Sequence, residues 1–248
     1  MRNFTSSALA FFLAFPIALA AGSEDCSKCH CTKWPVPDEC EKCCHMRLFD
    51  AASEVINQIM ASPDTQIPDS ILRQATCVGV VPGMLKGAFI LGVEYSQGAV
   101  TCRTGHGWSA PAFIQMEGGS WGFQIGGEGT DLVLVAVNDK GFQDLSESRF
   151  KIGADASAAA GPVGRDAHAA TNWKLQSGLL TWSRSEGLLA GVDLSGVAIS
   201  QNHDADEALY GSSLPVETIL HGDVPVPRVA QPFVQTVAKY FRSSSRTY

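Results

Sequence analysis

Six of the eight cysteines fall between Cys26 and Cys44, as Cys-x-x-Cys-x-Cys, an eight-residue gap, then Cys-x-x-Cys-Cys. Thiols this dense, with His30 and His45 among them, support three chemistries. Disulfides among Cys26, Cys29, Cys31, Cys40, Cys43 and Cys44 suit an exported chain, and six cysteines allow fifteen connectivities. Thiolates and imidazoles at Cys26, Cys29, His30 and the Cys40 to His45 group also suit tetrahedral zinc, because short loops let soft ligands converge. Cys26-Ser-Lys-Cys29-His30 matches the c-type haem attachment pattern, with His45, Met46 or His106 available as the other axial ligand. Against haem, four further cysteines crowd the same leader and no helical haem-packing domain follows, so no cofactor is expected. Cys77 and Cys102 lie on two separate strand-like runs. Antiparallel pairing would bring them within disulfide reach, and two buried free thiols are the alternative.

Catalytic templates fit poorly. Gly118-Gly119-Ser120-Trp121-Gly122 matches G-x-S-x-G, which would make Ser120 the nucleophile of an exported serine hydrolase with His168, His203 or His221 as base. That motif needs a strand, a strained turn and then a helix, whereas Phe123-Gln124-Ile125-Gly126 continues as strand. Gly126-Gly127-Glu128-Gly129 lacks the third glycine of a dinucleotide fingerprint and the lysine of a P-loop. Asp193, Asp204, Asp206 and Glu207 would gather a hard cation if the last turn folded back; a solvated acidic turn is the ordinary case. The expectation is a protein that is not an enzyme.

The elements that would position these residues are short and interrupted. Met1–Ala20 carries one charge, Arg2, then an apolar run broken by Pro16 and closed by small residues, as in a cleaved export signal, which places the chain in the periplasm or outside the cell. Residues 21–45 form the Cys-rich leader. From Met46 to Ala61, Leu48, Phe49, Ala52, Val55, Ile56, Ile59 and Met60 recur at helical spacing, and a short helix is expected after Pro68. The period then changes. Cys77–Val81, Ala88–Val93, Ala99–Arg103, Ala112–Met116, Trp121–Ile125, Leu132–Val137 and Leu188–Ile199 read as strands stopped by glycines. Asp204–Tyr210 reads as a helical turn, and Pro232–Phe241 as a terminal amphipathic helix within a 223–248 tail. The fold expected is α+β: a curved antiparallel sheet or small barrel-like core with flanking N- and C-terminal helices. Ala154–Gly161 has no long side chain, so it must pack on backbone or cross another strand closely.

The chain has 248 residues and a net charge of −7, which argues against nonspecific attraction to nucleic acid. An anionic ligand must therefore find a local basic patch.

The glycine-bounded motifs have a shared order and spacing. Ala75 to Pro82 with Lys86-Gly87, Trp108-Ser109-Ala110-Pro111, Gly122 to Gly126 with Asp131, Gly161-Pro162-Val163-Gly164-Arg165, Ser183 to Gly191, and Asn202 with Tyr210-Gly211 resemble the SYLF domain. The resemblance spans about Arg47 to Gly222 and marks a domain of residues 46–222. It implies non-catalytic binding of phosphoinositides or other anionic phospholipids at a membrane surface. Lys86, Arg103, Arg165, Lys174 and Arg184 would contact phosphate, while Trp108, Phe113 or Trp121 would meet the lipid interior. Eukaryotic relatives are linked to actin patches; with an export signal, actin is expected to be out of reach here. The Cys-rich leader departs from the family pattern.

Overall fold

The computed structural model describes residues 38–61, 66–83, 93–119, 131–163, 177–185, 188–191 and 194–242. Helix α1 spans Asp38–Met60, so the expected helix starts earlier, within the Cys-rich stretch. Its apolar stripe buries Phe49, Ala52, Val55, Ile56 and Ile59. Helix α2, Asp69–Gln74, follows Pro68 as expected and buries Ile71 and Leu72. Its fixed φ suits Pro68 to the position before the first turn.

Ten strands follow among the described residues: β1 Cys77–Val81, β2 Val93–Thr104, β3 Gly107–Trp108, β4 Ala112–Gly119, β5 Asp131–Ala136, β6 Arg149–Lys151, β7 Ala158–Ala160, β8 Leu179–Ser185, β9 Leu188–Gly191 and β10 Ala198–Gln201. They form one sheet in the order β6-β10-β4-β2-β1-β5-β8-β7, with β3 on β2 and β9 on β8. The sheet curls into a half-barrel. Every pairing is antiparallel except β7 with β8. Helices α3 (Asp139–Ser146), α4 (His203–Tyr210), α5 (Val216–Leu220) and α6 (Gln231–Tyr240) complete the α+β architecture. The expected terminal helices are present.

β5 shows why both faces of the sheet are covered. Val133, Val135 and Val137 alternate with Leu132, Leu134 and Ala136, and side chains alternate across a strand. The first set joins the core under α1, α2 and α6. The second joins Leu145 of α3, Phe150, and Val216, Ile219 and Leu220 of α5. An unbroken apolar strand is what burial on two sides demands.

Cys77 and Cys102 are register partners and form a disulfide, which resolves the alternative of two free thiols. β8 was not expected as a strand, because Ser183, Arg184 and Ser185 break its apolar pattern; the pairing of Asp131 with Arg184 across β5 and β8 makes that polar end tolerable. Ala158–Ala160 crosses beside β8 as its composition requires. A Cβ at Gly161 would lie 2.0 Å from the Trp182 ring, so only glycine lets this backbone pass. Expected strands at Ala88–Val93 and Trp121–Ile125 lie outside the described residues apart from Val93.

Candidate ligand-binding surface

The two ends of the sheet differ. At one rim, β1 ends at Val81 opposite Leu132, β2 begins at Val93 opposite Gly119, the last residue of β4, and β5 begins at Asp131 opposite Arg184. β7 runs parallel to β8 toward the same rim, and β8 turns there into β9, Ser185 facing Leu188. The end of β1, the starts of β2 and β5 and the end of β8 thus meet at one rim; the motif segments Lys86-Gly87, Gly122–Gly126, Gly164-Arg165 and Glu186-Gly187 lie outside the described residues. Lys86, Arg165, Ser120 and Trp121 themselves lie outside the described residues. So does Lys174.

The described centre of this rim is Asp131. Its Oδ2 accepts from Arg184 Nη1 at 2.6 Å, and its Oδ1 accepts from the Gly83 N–H at 2.9 Å. Side-chain exposure is 19% for Arg184 and 17% for Asp131, so the pair is largely shielded. Asp131 thereby ties β8, β5 and the turn after β1 into one corner. It also compensates the arginine charge, so Arg184 holds the rim together and offers a phosphate only a shared guanidinium.

The opposite end is locked by its own polar groups. Arg103 donates from Nε to the Ala75 carbonyl at 3.1 Å and from Nη2 to the Phe241 carbonyl at 2.8 Å. Its guanidinium lies 4.6 Å from the Trp108 ring centroid, and Trp108 meets Phe241 edge-on. Burial lowers the Arg103 pKa, yet carbonyls and the aromatic face take up its charge. β1 separates Arg103 from Arg184 by five residues, roughly 16 Å of strand. These two arginines thus do not share one patch. Phe113 is 1% exposed, lies in the core and packs on Phe49, so the expectation that it meets lipid is corrected: its alternation on β4 directs it beneath α1.

The Trp108–Pro111 motif serves this lock. Ser109 Oγ accepts from the Cys102 N–H at 3.0 Å, and the Tyr210 hydroxyl donates to the Pro111 carbonyl at 2.6 Å. Beside it, Asp206 is fully buried. Its Oδ1 accepts from the Phe113 N–H at 2.9 Å and its Oδ2 from Gln201 Nε2 at 2.7 Å. Gln201 also donates to the Leu214 carbonyl and accepts from the Val216 N–H. Burial outweighs these hydrogen bonds and raises the Asp206 pKa to about 6. The acidic turn is therefore split: Asp204 and Glu207 are exposed and Asp206 points inward. Among the described residues, no cluster of His, Cys, Asp or Glu is arranged for a metal.

Sequence reasoning missed a groove of about 610 Å³ where α3, β6, β10 and α5 meet, lined by Ser146, Glu147, Arg149, Gln201, His203 and Glu217 among others. Arg149 in its wall pairs with Glu117 at 3.2 Å. Only α5 could have signalled it, through Pro215 at a helix start followed by Val216, Ile219 and Leu220 at core spacing.

The fold is a curled α+β half-barrel with flanking helices, and the comparisons specify its family. A family model described as "Ysc84: Las17-binding protein actin regulator" matches residues 117–240, from late β4 to the end of α6. Protein YSC84 of Saccharomyces cerevisiae is 33% identical over 183 residues, covering 72% of this chain and 39% of that protein. LAS seventeen-binding protein 3 of the same yeast is 30% identical over 185 residues, covering 73% and 40%. SH3 domain-containing YSC84-like protein 1 of Homo sapiens is 29% identical over 171 residues, covering 68% and 50%. The chain belongs to the Ysc84 family, the family of the SYLF domain. It spans half or less of the length of these relatives. Their names correct one expectation: dismissing actin-linked partners in favour of lipid alone does not stand beside relatives named for Las17 binding.

Proposed function

We propose that this chain is a non-catalytic binding domain with two kinds of ligand, an actin-regulatory protein of the Las17 type and anionic phospholipid. The protein ligand is supported by the family match over residues 117–240. The lipid ligand is supported by the basic residues Lys86, Arg165 and Lys174 within the SYLF-like motif series. The described corner between β5 and β8 has its own arginine, Arg184, already neutralised by Asp131. Headgroup contact then falls to Lys86 and Arg165, with Lys174 in the same connecting segment as Arg165, through charge-assisted hydrogen bonds to phosphate. Arg103 is left as a structural residue. The observation that carries this reading is the family match over residues 117–240.

Sedimentation with phosphatidylcholine vesicles, with and without phosphatidylserine, tests the lipid arm. The chain should pellet only with the anionic vesicles, Lys86→Ala/Arg165→Ala should abolish pelleting, and Arg103→Ala should not. A chain left in the supernatant with every vesicle sinks the lipid arm. Pull-down by purified Las17 and co-sedimentation with filamentous actin test the protein arm separately. Ser120→Ala should leave both kinds of binding unchanged.

Export through residues 1–20 is proposed as the alternative to the protein ligand, because an exported chain would not share a compartment with a Las17-type partner and would be left with the lipid ligand alone. The buried Cys77–Cys102 disulfide supports it, since such bonds persist in oxidising compartments. N-terminal sequencing of the mature chain should begin after Ala20, and an intact Met1 would refute export.

A further inference from the structure

The groove where α3, β6, β10 and α5 meet extends beyond its first 610 Å³. A second hollow of about 580 Å³, bounded by Asp139, Phe142, Gln143 and His221, shares Ser146, Glu147 and Glu217 with it. The two form one channel that runs along α3 and opens onto β6. Its floor is preformed, because Gln201, 4% exposed, donates to Asp206 and to the Leu214 carbonyl and accepts from the Val216 N–H. Its charge is one-sided. Asp139, Glu147 and Glu217 are exposed along it, while Arg149, the one guanidinium among the lining residues, is paired with Glu117 at 3.2 Å.

The wall of this groove also holds an open piece of sheet edge. β6 is the end strand of the sheet. The Gln201 N–H donates to the Ser148 carbonyl and the Ile152 N–H to the Val197 carbonyl, so the alternation of an antiparallel ladder turns the backbone groups of Arg149 and Lys151 away from β10. The Lys151 N–H donates to Asp155 Oδ2 at 2.8 Å, and its carbonyl accepts from the Asp155 N–H at 2.8 Å. That closes half of the edge. Among the described residues, the outward N–H and carbonyl of Arg149 are the rung left open, and Arg149 lines the groove.

We infer that this groove docks a short, extended, basic segment of a protein partner, which adds to β6 through the Arg149 backbone and sets lysine or arginine side chains against Glu147, Glu217 and Asp139. An unpaired edge is a template for another strand. Main-chain pairing supplies the attachment and the alternate side chains supply selectivity. The carboxylates choose the occupant: they attract a basic segment and repel a nucleic acid or an anionic headgroup. A floor already held by Gln201 spares the partner the cost of ordering it. The inference goes beyond the proposed ligands, since it needs neither Las17 nor lipid.

The probes are two fluorescein-labelled peptides of about ten residues, long enough at ~3.3 Å per residue to span the groove, in which valine alternates with lysine or with glutamate. Each is titrated with the full chain and followed by fluorescence anisotropy. The lysine peptide should bind and the glutamate peptide should not. Glu147→Gln/Glu217→Gln should weaken the lysine peptide about five- to tenfold, as the loss of two exposed ion pairs implies. Asp50→Asn/Glu54→Gln makes the same charge change on the exposed side of α1, across the sheet, and should alter binding by less than about twofold because screening hides so distant a charge. Hydrogen exchange followed by NMR reads the edge itself: the Arg149 amide should exchange at least about tenfold more slowly in the saturated complex. No binding of the lysine peptide, equal binding of both peptides, equal loss in both double variants, or an unchanged Arg149 amide overturns the inference. Vesicle sedimentation and Las17 pull-down read other surfaces, so their failure and the failure of this inference are distinguishable.

Discussion

The buried carboxylate of Asp206 should make this fold more stable in mild acid than at neutrality. Its unfolded value of 3.8 rises to about 6 in the native state, with burial as the leading cause and the hydrogen bonds from Phe113 and Gln201 only partly offsetting it. Between about pH 4 and pH 6 the native state holds a proton that the unfolded chain has lost. The folded form then binds more protons, so stability falls as pH rises through that window and levels off above it. Two pH units at about 1.4 kcal/mol each give a change of about 3 kcal/mol. Asp206→Asn removes the titration. Its amide oxygen keeps the Phe113 N–H, but its NH₂ faces Gln201 Nε2, which the Leu214 carbonyl and Val216 N–H hold in orientation. That donor-against-donor contact costs about 1–3 kcal/mol at every pH. Urea unfolding of both proteins near pH 4 and near pH 7 isolates the group. The wild type should lose about 3 kcal/mol on going to pH 7 relative to the variant, so the gap between them narrows or reverses. A gap of equal size at both pH values refutes the reasoning.

Gly161→Ala drives a methyl group into the Trp182 ring, whose Nε1 donates to the Pro162 carbonyl at 3.0 Å. Overpacking of this kind costs about 1–3 kcal/mol, and a thermal midpoint equal to wild type would show that β7 has room to shift. Replacing Cys77 and Cys102 together by Ala opens a loop with a sequence separation of 25, and a loss of about 3 kcal/mol is expected in urea titration; no loss would mean that β1–β2 pairing alone holds the register. Arg103→Ala removes two hydrogen bonds from a guanidinium that spans α2 and α6. Amide exchange across residues 237–242 should accelerate, and unchanged protection there would count against the arginine as a staple.

The periodic parts of the fold were legible in the sequence. The stripes of α1 and α6 each bury an apolar face and β5 is apolar on both faces, and apolar spacing reports burial directly. β8 was hidden for the opposite reason: the polar end of the strand is stabilised by Asp131, which lies 53 residues away in the chain. Charge state is a tertiary property. Arg103, Arg184 and Asp206 all look like free surface charges when read singly, and all three are engaged inside the fold. The motif order was a better guide than the charges, because glycine-bounded segments mark strand ends whatever partners the neighbouring side chains find.

That distinction divides the motif series by task. Trp108–Pro111, Asn202 and Tyr210 lie at the end where Arg103, Ser109 and Asp206 saturate backbone groups of β2, β4 and α2. Substitution there acts first on stability. At the other rim Asp131, Arg184 and the Gly83 N–H form one unit, which ties β5, β8 and the turn after β1 together. A chain with a net charge of −7 attracts an anionic surface only through cations held apart from its carboxylates. Removing Asp131 should therefore separate the two roles. Asp131→Asn frees the Arg184 charge and would raise attraction to anionic vesicles if net charge alone governed binding. If the rim geometry governs it, losing the corner should weaken binding although the chain has become less negative. Vesicle sedimentation of Asp131→Asn against wild type at matched ionic strength decides by its sign, and stronger pelleting by the variant would refute the geometric account.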